Sequence, residues 1–132
     1  WVARENLQQR IRFVGRLSAA QQAEQYDRAQ WYLSQPESDS VAVSVLEAMA
    51  HGCIPLLSKL PANAELVDDG RNGWIVPEPA GSAELGALSA QVLPQLLARA
   101  SDIARDNRQW VHDHGLFPPA VARLVQTLRQ AS

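Results

Sequence analysis

The run Cys-Ile-Pro-Leu-Leu-Ser at residues 53–58 constrains the fold of this chain more than any other segment. It follows a helical pattern over 41–51 that ends at Gly52, the residue type expected just beyond a helix C-terminus. A strand that is almost continuously apolar is covered on both faces, as in the parallel sheets of α/β proteins. The run therefore predicts a strand of a parallel sheet with helices on both sides.

Similar patterns lie on either side of this strand. Three further strands and two further helices are predicted from the apolar pattern: strands at 11–15, 31–34 and 74–76, and helices at 19–29, with Ser18 as N-cap, and near 62–68. Strands that alternate with helices through short connections indicate a parallel sheet. We therefore expect an α/β fold over 11–76, a Rossmann-like parallel sheet of about four strands flanked by helices.

The chain from Gly81 onwards is predicted to be helical. Leucines at four positions can share one helix face: Leu85, Leu88, Leu96 and Leu97. Pro94 should kink or break that helix. A stripe at helical spacing predicts a last helix: Val121, Leu124, Val125 and Leu128. We expect one domain over 1–132, in which a helical tail at 81–132 follows the α/β core.

The composition excludes several classes of partner. A net charge of −2 gives no basic surface for nucleic acid. No apolar run reaches the ~18 residues of a membrane span, so membrane contact is not indicated. The lone Cys53 cannot form an internal disulfide, which fits a cytoplasmic location. The three histidines lack the spacing of a metal site, so neither a metal nor another cofactor is expected.

The segment from Asp39 to Gly52 carries the functional signal. Asp39 precedes the predicted helix, and Glu47 lies eight positions later on its inner turns. The N–H groups at a helix start and the positive end of its dipole suit a phosphate. A carboxylate two turns further along can accept hydrogen bonds from sugar hydroxyls. This combination is typical of a nucleotide-sugar site.

Residues 11–76 resemble the donor-binding half of a GT-B fold glycosyltransferase, specifically the large retaining family 4. Six segments match in order: Arg12-Phe13-Val14-Gly15, Tyr26-Asp27-Arg28-Ala29, Leu33-Ser34-Gln35-Pro36, Asp39 to Glu47 as the E-x7-E motif, Pro61-Ala62-Asn63-Ala64-Glu65, and Asp69-Gly70-Arg71-Asn72-Gly73 with Trp74-Ile75-Val76. The chain would then be an incomplete GT-B C-terminal domain. It opens at Trp1 with Met49 as its only methionine, as expected for a piece of a longer polypeptide.

The resemblance implies a role for each site residue. Arg16 and Leu17 would lie against the nucleotide base, and Glu47 would accept from the ribose hydroxyls. Asp39 would contact the transferred sugar as the catalytic acidic residue. The helix start would bind the diphosphate through four residues: Ser40, Val41, Ala42 and Val43. The donor would be an NDP-sugar.

Three departures from the family pattern accompany the match. Asp39 is one methylene shorter than the usual glutamate, and Ser40-Val41-Ala42 replaces Gly-Phe-Gly. The arginine and lysine that usually clamp the diphosphate lie upstream of the Phe-x-Gly segment, and Arg4 and Arg10 do not fit their context. The N-terminal acceptor domain is missing, so the isolated chain is expected to be inactive.

Alternative readings remain open for the individual residues. Glu47 could be a solvated or paired helix residue, and Asp39 an acid favoured by the nearby helix dipole. Arg16 and Lys59 could be surface residues. Asn63 and Glu65 could serve a turn and a first helical turn alone.

Two functions follow from these observations. The first is nucleotide-sugar binding in a retaining glycosyltransferase that moves a hexose to a saccharide or lipid acceptor. This enzyme is expected in the cytoplasm, where the intact protein could act at the periphery of the membrane. The alternative is a degenerate GT-B-like domain that acts as a non-catalytic interaction module. An unrelated receiver or flavodoxin-like domain fits less well, because the clustered acids and lysine of a receiver are absent.

Overall fold

The computed structural model describes residues 2–39, 42–78 and 82–115. Helices and strands alternate as the sequence pattern predicts. The elements are α1 (Ala19–Arg28), β1 (Trp31–Ser34), α2 (Val43–Ala50), β2 (Ile54–Ser58), α3 (Pro61–Ala64), β3 (Trp74–Val76), α4 (Ser82–Ala98) and α5 (Ala100–Trp110), followed by a π-helical stretch at Val111–Gly115. The predicted helix at 121–128 lies outside the described residues.

The three strands form one open parallel sheet in the order β1-β2-β3. Trp31 pairs with Ile54 and Leu56 pairs with Trp74, so these side chains point to the same face. Four of the five β2 residues are buried, because helices cover the strand on both sides. The predicted α/β fold with a Rossmann-like parallel sheet is confirmed.

One of the four predicted strands is absent, and that part of the prediction was wrong. Residues 11–15 do not pair with any strand of the sheet, and the phenyl side chain of Phe13 is 82% exposed. An apolar run becomes a strand only where a neighbouring strand takes up its hydrogen bonds. The described sheet offers these residues no such neighbour.

Helix α1 begins where the sequence predicts. The Ser18 hydroxyl accepts from the backbone N–H of Gln21, and the Gln21 side chain accepts from the Ser18 N–H. This reciprocal capping box satisfies two N–H groups at the helix start. It thereby fixes the point at which the chain leaves the 15–17 loop and enters α1.

The hydrophobic core has a layer on each face of the sheet. On one face α2 packs against β2, with Val45, Met49 and Leu57 almost fully buried. On the other face α4 and α5 pack against Leu56 and Trp74. A small cluster beneath α1 joins Tyr26, Ala48 and Cys53. Among the described residues, no helix combines the length and hydrophobicity needed to cross a bilayer.

Of the predicted kink or break at Pro94, the break does not occur, because helix α4 continues through this residue to Ala98. A proline inside a helix removes the hydrogen bond to the carbonyl four residues earlier, here Ala90. Both Pro94 and Ala90 are exposed, so water can take up that carbonyl. The shared leucine face also differs from the prediction, since Leu96 is buried but Leu97 is 49% exposed.

The turn before β3 is held by two asparagines. Asn72 donates to the Leu66 carbonyl and to Asn107 Oδ1 at 3.1 Å, while Asn107 donates back to the Asn72 carbonyl at 3.0 Å. Gly73 permits a close approach, because a Cβ there would lie 2.6 Å from the Pro55 carbonyl oxygen. The turn is therefore locked between β2 and α5.

Candidate functional site

The carboxyl ends of β1, β2 and β3 meet at one edge of the sheet, because the three strands are parallel. Ligands of open parallel sheets bind outside this edge. Helix α2 starts there, directly after the 35–42 connection from β1. A ligand site is therefore expected at this edge.

Helix α2 starts without a capping side chain on its N-cap residue. Its N-cap residue is Ala42, which offers no side-chain acceptor. The first N–H groups of a helix lack partners within the helix, and the dipole makes this end positive. Ser44 anchors the first turn, because its hydroxyl accepts from Tyr32 of β1 at 2.9 Å. The result is a fixed helix start that can receive an anion.

Glu47 lies one turn further along α2, in a crevice between α2 and α1. The crevice has a volume of about 110 Å³ and is lined by six residues: Ala19, Gln22, Ala23, Tyr26, Glu47 and His51. The Gln22 amide donates to Glu47 Oε2 at 3.4 Å and to the Tyr26 hydroxyl at 2.6 Å. The Glu47 carboxylate is exposed. It is therefore held at one oxygen and is accessible to the hydroxyls of a ligand.

The 15–17 loop leads directly into this crevice. Gly15 has a φ of +66°, a conformation that glycine adopts without strain. Arg16 is exposed and Leu17 is half-buried. The loop is followed, after Ser18, by Ala19 of α1, which lines the crevice.

The remaining predicted site residues are spread along the connection into α2. Asp39 is exposed, between β1 and the helix start. Ala42 is half-buried against the core on the α2 face, whereas Val43 is 68% exposed. Ser40 and Val41 lie outside the described residues. The structure thus brings Glu47 together with the start of α1, and the start of α2 with the carboxyl edge of the sheet.

The family model for group 1 glycosyl transferases matches residues 1–108 of this chain. The chain belongs to this glycosyltransferase family. No curated protein matches the sequence. Membership of this family indicates, in general terms, transfer of a glycosyl group from a nucleotide-sugar donor to an acceptor. It does not favour the alternative of a non-catalytic interaction module.

Lys59 and Asn63 of this glycosyltransferase occupy different environments. Lys59 is exposed where the chain leaves β2. Asn63 is buried, and its amide donates to the Ser58 carbonyl at 2.8 Å. Asn63 therefore shapes the turn after β2, as its alternative reading proposed. Glu65 is exposed at the C-cap of α3.

His51 borders the crevice at the end of α2. Its Nδ1 lies 2.7 Å from Asp27 Oδ1 of α1, which holds the two helix ends together. The guanidinium of Arg108 donates to the His51 carbonyl at 3.1 Å. His51 is therefore a structural contact between α2, α1 and α5.

Two buried groups near the crevice have shifted pKa values. Burial raises the pKa of the Tyr26 phenol, an effect that the hydrogen bond from Gln22 partly offsets. Burial also raises the pKa of the Cys53 thiol, and the charge of Asp27 adds to this. Both groups stay neutral near pH 7, so Cys53 is a packed core residue of the glycosyltransferase and not a nucleophile.

Gln22 is the crevice residue that the sequence analysis missed. It follows the N-cap Ser18 by four positions, which places it above the cap on one side of α1. That spacing could have indicated a side chain at the mouth of the site. The partner across the crevice depends on how α1 packs against α2, which no local pattern specifies.

Proposed function

We propose that this chain is the nucleotide-sugar-binding part of a retaining glycosyltransferase of family 4, which transfers a hexose from an NDP-sugar to a saccharide or lipid acceptor. The observation that carries the proposal is the crevice between α1 and α2. There the Glu47 carboxylate faces the capped start of α1 in a member of a glycosyltransferase family.

The nucleoside would lie in this crevice. Glu47 would accept hydrogen bonds from the ribose hydroxyls, since an ionised carboxylate offers two acceptor oxygens. Gln22 holds one of these oxygens at 3.4 Å and would keep the carboxylate oriented. Arg16 and Leu17 would contact the base from the loop that leads into α1.

The diphosphate would lie at the start of α2. The N–H groups at positions 41–43 would stabilise the negative charge that develops on the leaving diphosphate as the glycosyl bond breaks. The N-cap residue Ala42 has no side-chain acceptor of its own. Asp39, before the helix, would bind hydroxyls of the transferred hexose. We propose no metal and no other cofactor.

GT-B enzymes divide donor and acceptor between two domains that close over the reaction. We therefore propose that the 132-residue chain alone binds the donor and does not turn it over. We place the protein in the cytoplasm, where it could act at a membrane surface.

The test is a titration with UDP, GDP and ADP and with their glucose and mannose conjugates, monitored by protein NMR. We compare the chain with Glu47→Ala and with the matched control Glu24→Ala. Glu24 is an exposed carboxylate of α1 that does not line the crevice. One nucleotide should shift resonances of residues 15–19 and 42–47. Its affinity should fall about tenfold or more in Glu47→Ala, because hydrogen bonds to a charged group are lost, and stay unchanged in the control.

Three results would count against the proposal. Equal loss of affinity in both variants would mean that Glu47 contributes only net charge. A flat titration across all nucleotides would favour the non-catalytic interaction module. Turnover of a donor by the chain alone would contradict the division of labour between two domains.

A further inference from the structure

Two polar side chains of α1 line the crevice beside Glu47. Gln22 precedes Tyr26 by four positions, so the two side chains are neighbours on one face of the helix. The side-chain nitrogen of Gln22 lies 2.6 Å from the Tyr26 hydroxyl oxygen and 3.4 Å from Glu47 Oε2. One amide group therefore links the phenol to the carboxylate.

The carboxylate fixes the direction of both hydrogen bonds. An ionised carboxylate can only accept, so Gln22 must turn its NH2 group towards Glu47. The same NH2 group donates to the Tyr26 oxygen, which leaves the hydroxyl hydrogen of Tyr26 for another acceptor. None of the hydrogen bonds within the described part of the chain uses this hydrogen. The wall of the crevice therefore offers a donor at Tyr26 beside an acceptor at Glu47.

The phenol of Tyr26 is held in place by packing. Tyr26 is 9% exposed, and its ring meets the ring of Tyr32 edge-on, with 5.9 Å between the ring centres. It shares a buried cluster with Ala48 and Cys53. Burial raises the pKa of the phenol, so the hydroxyl keeps its proton near pH 7. Tyr26 is therefore a donor with a fixed position.

We propose that Tyr26 is a second contact to the ribose of the donor, and that Gln22 is the positioning residue that directs the Tyr26 hydroxyl hydrogen towards it. One ribose hydroxyl donates to Glu47 and the other accepts from Tyr26, so the crevice recognises the cis-diol as a unit. This inference rests on the proposed function, which places the nucleoside in the crevice. The site then rejects both 2′-deoxy and 3′-deoxy analogues, since each leaves one side chain without its partner.

The test extends the NMR titration of the full chain with UDP, GDP and ADP to their 2′-deoxy and 3′-deoxy analogues. The nucleotide that binds should bind about tenfold or more tightly than either of its analogues. Tyr26→Phe removes the hydroxyl and keeps the ring that packs against Tyr32. This variant should lose the preference over one analogue and keep the preference over the other. Glu47→Ala should show the opposite pattern.

Gln22→Met tests the positioning role. Methionine is an unbranched side chain of similar length that cannot donate a hydrogen bond. Both preferences should fall several-fold, because neither Tyr26 nor Glu47 is then held by the amide. Gln25→Met is the matched control, since Gln25 is a half-buried residue of α1 that does not line the crevice. Both preferences should stay unchanged in the control.

A purely structural role of Gln22 gives a different result. If its amide only joins α1 to α2, Gln22→Met should weaken binding of the nucleotide and of both analogues equally. The two preferences would then be the same as in the unmodified chain, which would overturn the positioning role. If Tyr26→Phe does not fold, as judged by its thermal unfolding, the preferences of Gln22→Met decide the outcome.

Other outcomes separate this inference from the proposed function. If a nucleotide binds and Glu47→Ala weakens it, but Tyr26→Phe keeps both preferences, the Tyr26 contact is wrong while the proposed function stands. Equal binding of the nucleotide and its two analogues would also reject the recognition of the cis-diol alone. If no nucleotide binds, the inference is overturned together with the proposed function.

Discussion

The two faces of the sheet differ in how completely the described helices cover them. On the α2 face, Val45, Ala48 and Met49 are at most 1% exposed, and the crevice beside Glu47 holds only about 110 Å³. On the α4 face, the sheet residue Leu33 and the helix residue Leu97 remain about half exposed or more, beside two much larger cavities. The same three strands thus support one close-packed layer and one open layer.

This difference determines how firmly each face holds its helices. Under the proposed function the start of α2 would bind a diphosphate, which requires a fixed helix, and close packing holds it. Substitutions that remove or add side-chain volume on each face therefore test the comparison.

The largest effect is expected for Met49→Ala on the α2 face. Met49 is fully buried, so its truncation should lower the free energy of unfolding by about 2–5 kcal/mol through lost transfer energy and a cavity. Leu97→Ala on the α4 face should cost less than about 1 kcal/mol, because its side chain is half exposed. Urea unfolding measures both. Equal losses would mean that the two faces do not differ in packing.

A second pair of substitutions adds volume. Gly73→Ala should lower the free energy of unfolding by about 2–3 kcal/mol, because the new methyl group would lie 2.6 Å from the Pro55 carbonyl oxygen. Gly86→Ala in α4 should raise it by about 0.5–1 kcal/mol, since no heavy atom lies within 4 Å of that position and alanine favours a helix. Thermal unfolding of both variants gives the sign of each change. A stable Gly73→Ala variant would show that the α2 face can relax.

The third prediction concerns α5, whose Ile103 packs on the α4 face while its Asn107 holds the turn before β3. Asn107→Ala should cost about 2 kcal/mol, because the half-buried Asn72 loses Asn107 as the donor to its carbonyl and as one acceptor for its amide. A double-mutant cycle with Asn72→Ala should give a coupling of about 1 kcal/mol. Additive effects would mean that the two asparagines stabilise the fold independently.

Much of the fold could be predicted from local patterns. The apolar run at 53–58 identified the central strand, and Ser18 with Gln21 specified the start of α1. Residues 11–15 carried the same kind of pattern, but a strand depends on a partner that local sequence does not specify. Proline disfavours the interior of a helix, yet α4 continues through Pro94. The lost hydrogen bond is tolerated because this side of α4 is exposed to water.

The candidate site could be predicted only in part. The pattern from Asp39 to Glu47 indicated a helix start facing the carboxyl edge, and α2 begins there. The crevice that Glu47 shares with Gln22 depends on how α1 packs against α2. Asn63 turns inward to the Ser58 carbonyl five residues earlier in the chain. The roles of Asp39, Arg16 and Glu47 toward a donor stay predictions that the nucleotide titration tests.

The smallest expected effect is a pH dependence that reports on packing at Cys53, at the start of β2. Burial raises the pKa of this thiol in the folded protein above its unfolded value of about 8.5. The folded state therefore holds the proton more tightly, and its stability should be complete below about pH 8.5 and fall as the pH rises further, by at most about 1.4 kcal/mol per pH unit. Cys53→Ala should remove most of this slope between pH 8 and 9, a range that lies below the ordinary pKa of about 10 of the Tyr26 phenol. Urea unfolding of both proteins across this range measures the difference. The same slope in both would mean that Cys53 is accessible to water and that the α2 face is less closely packed than its buried side chains indicate.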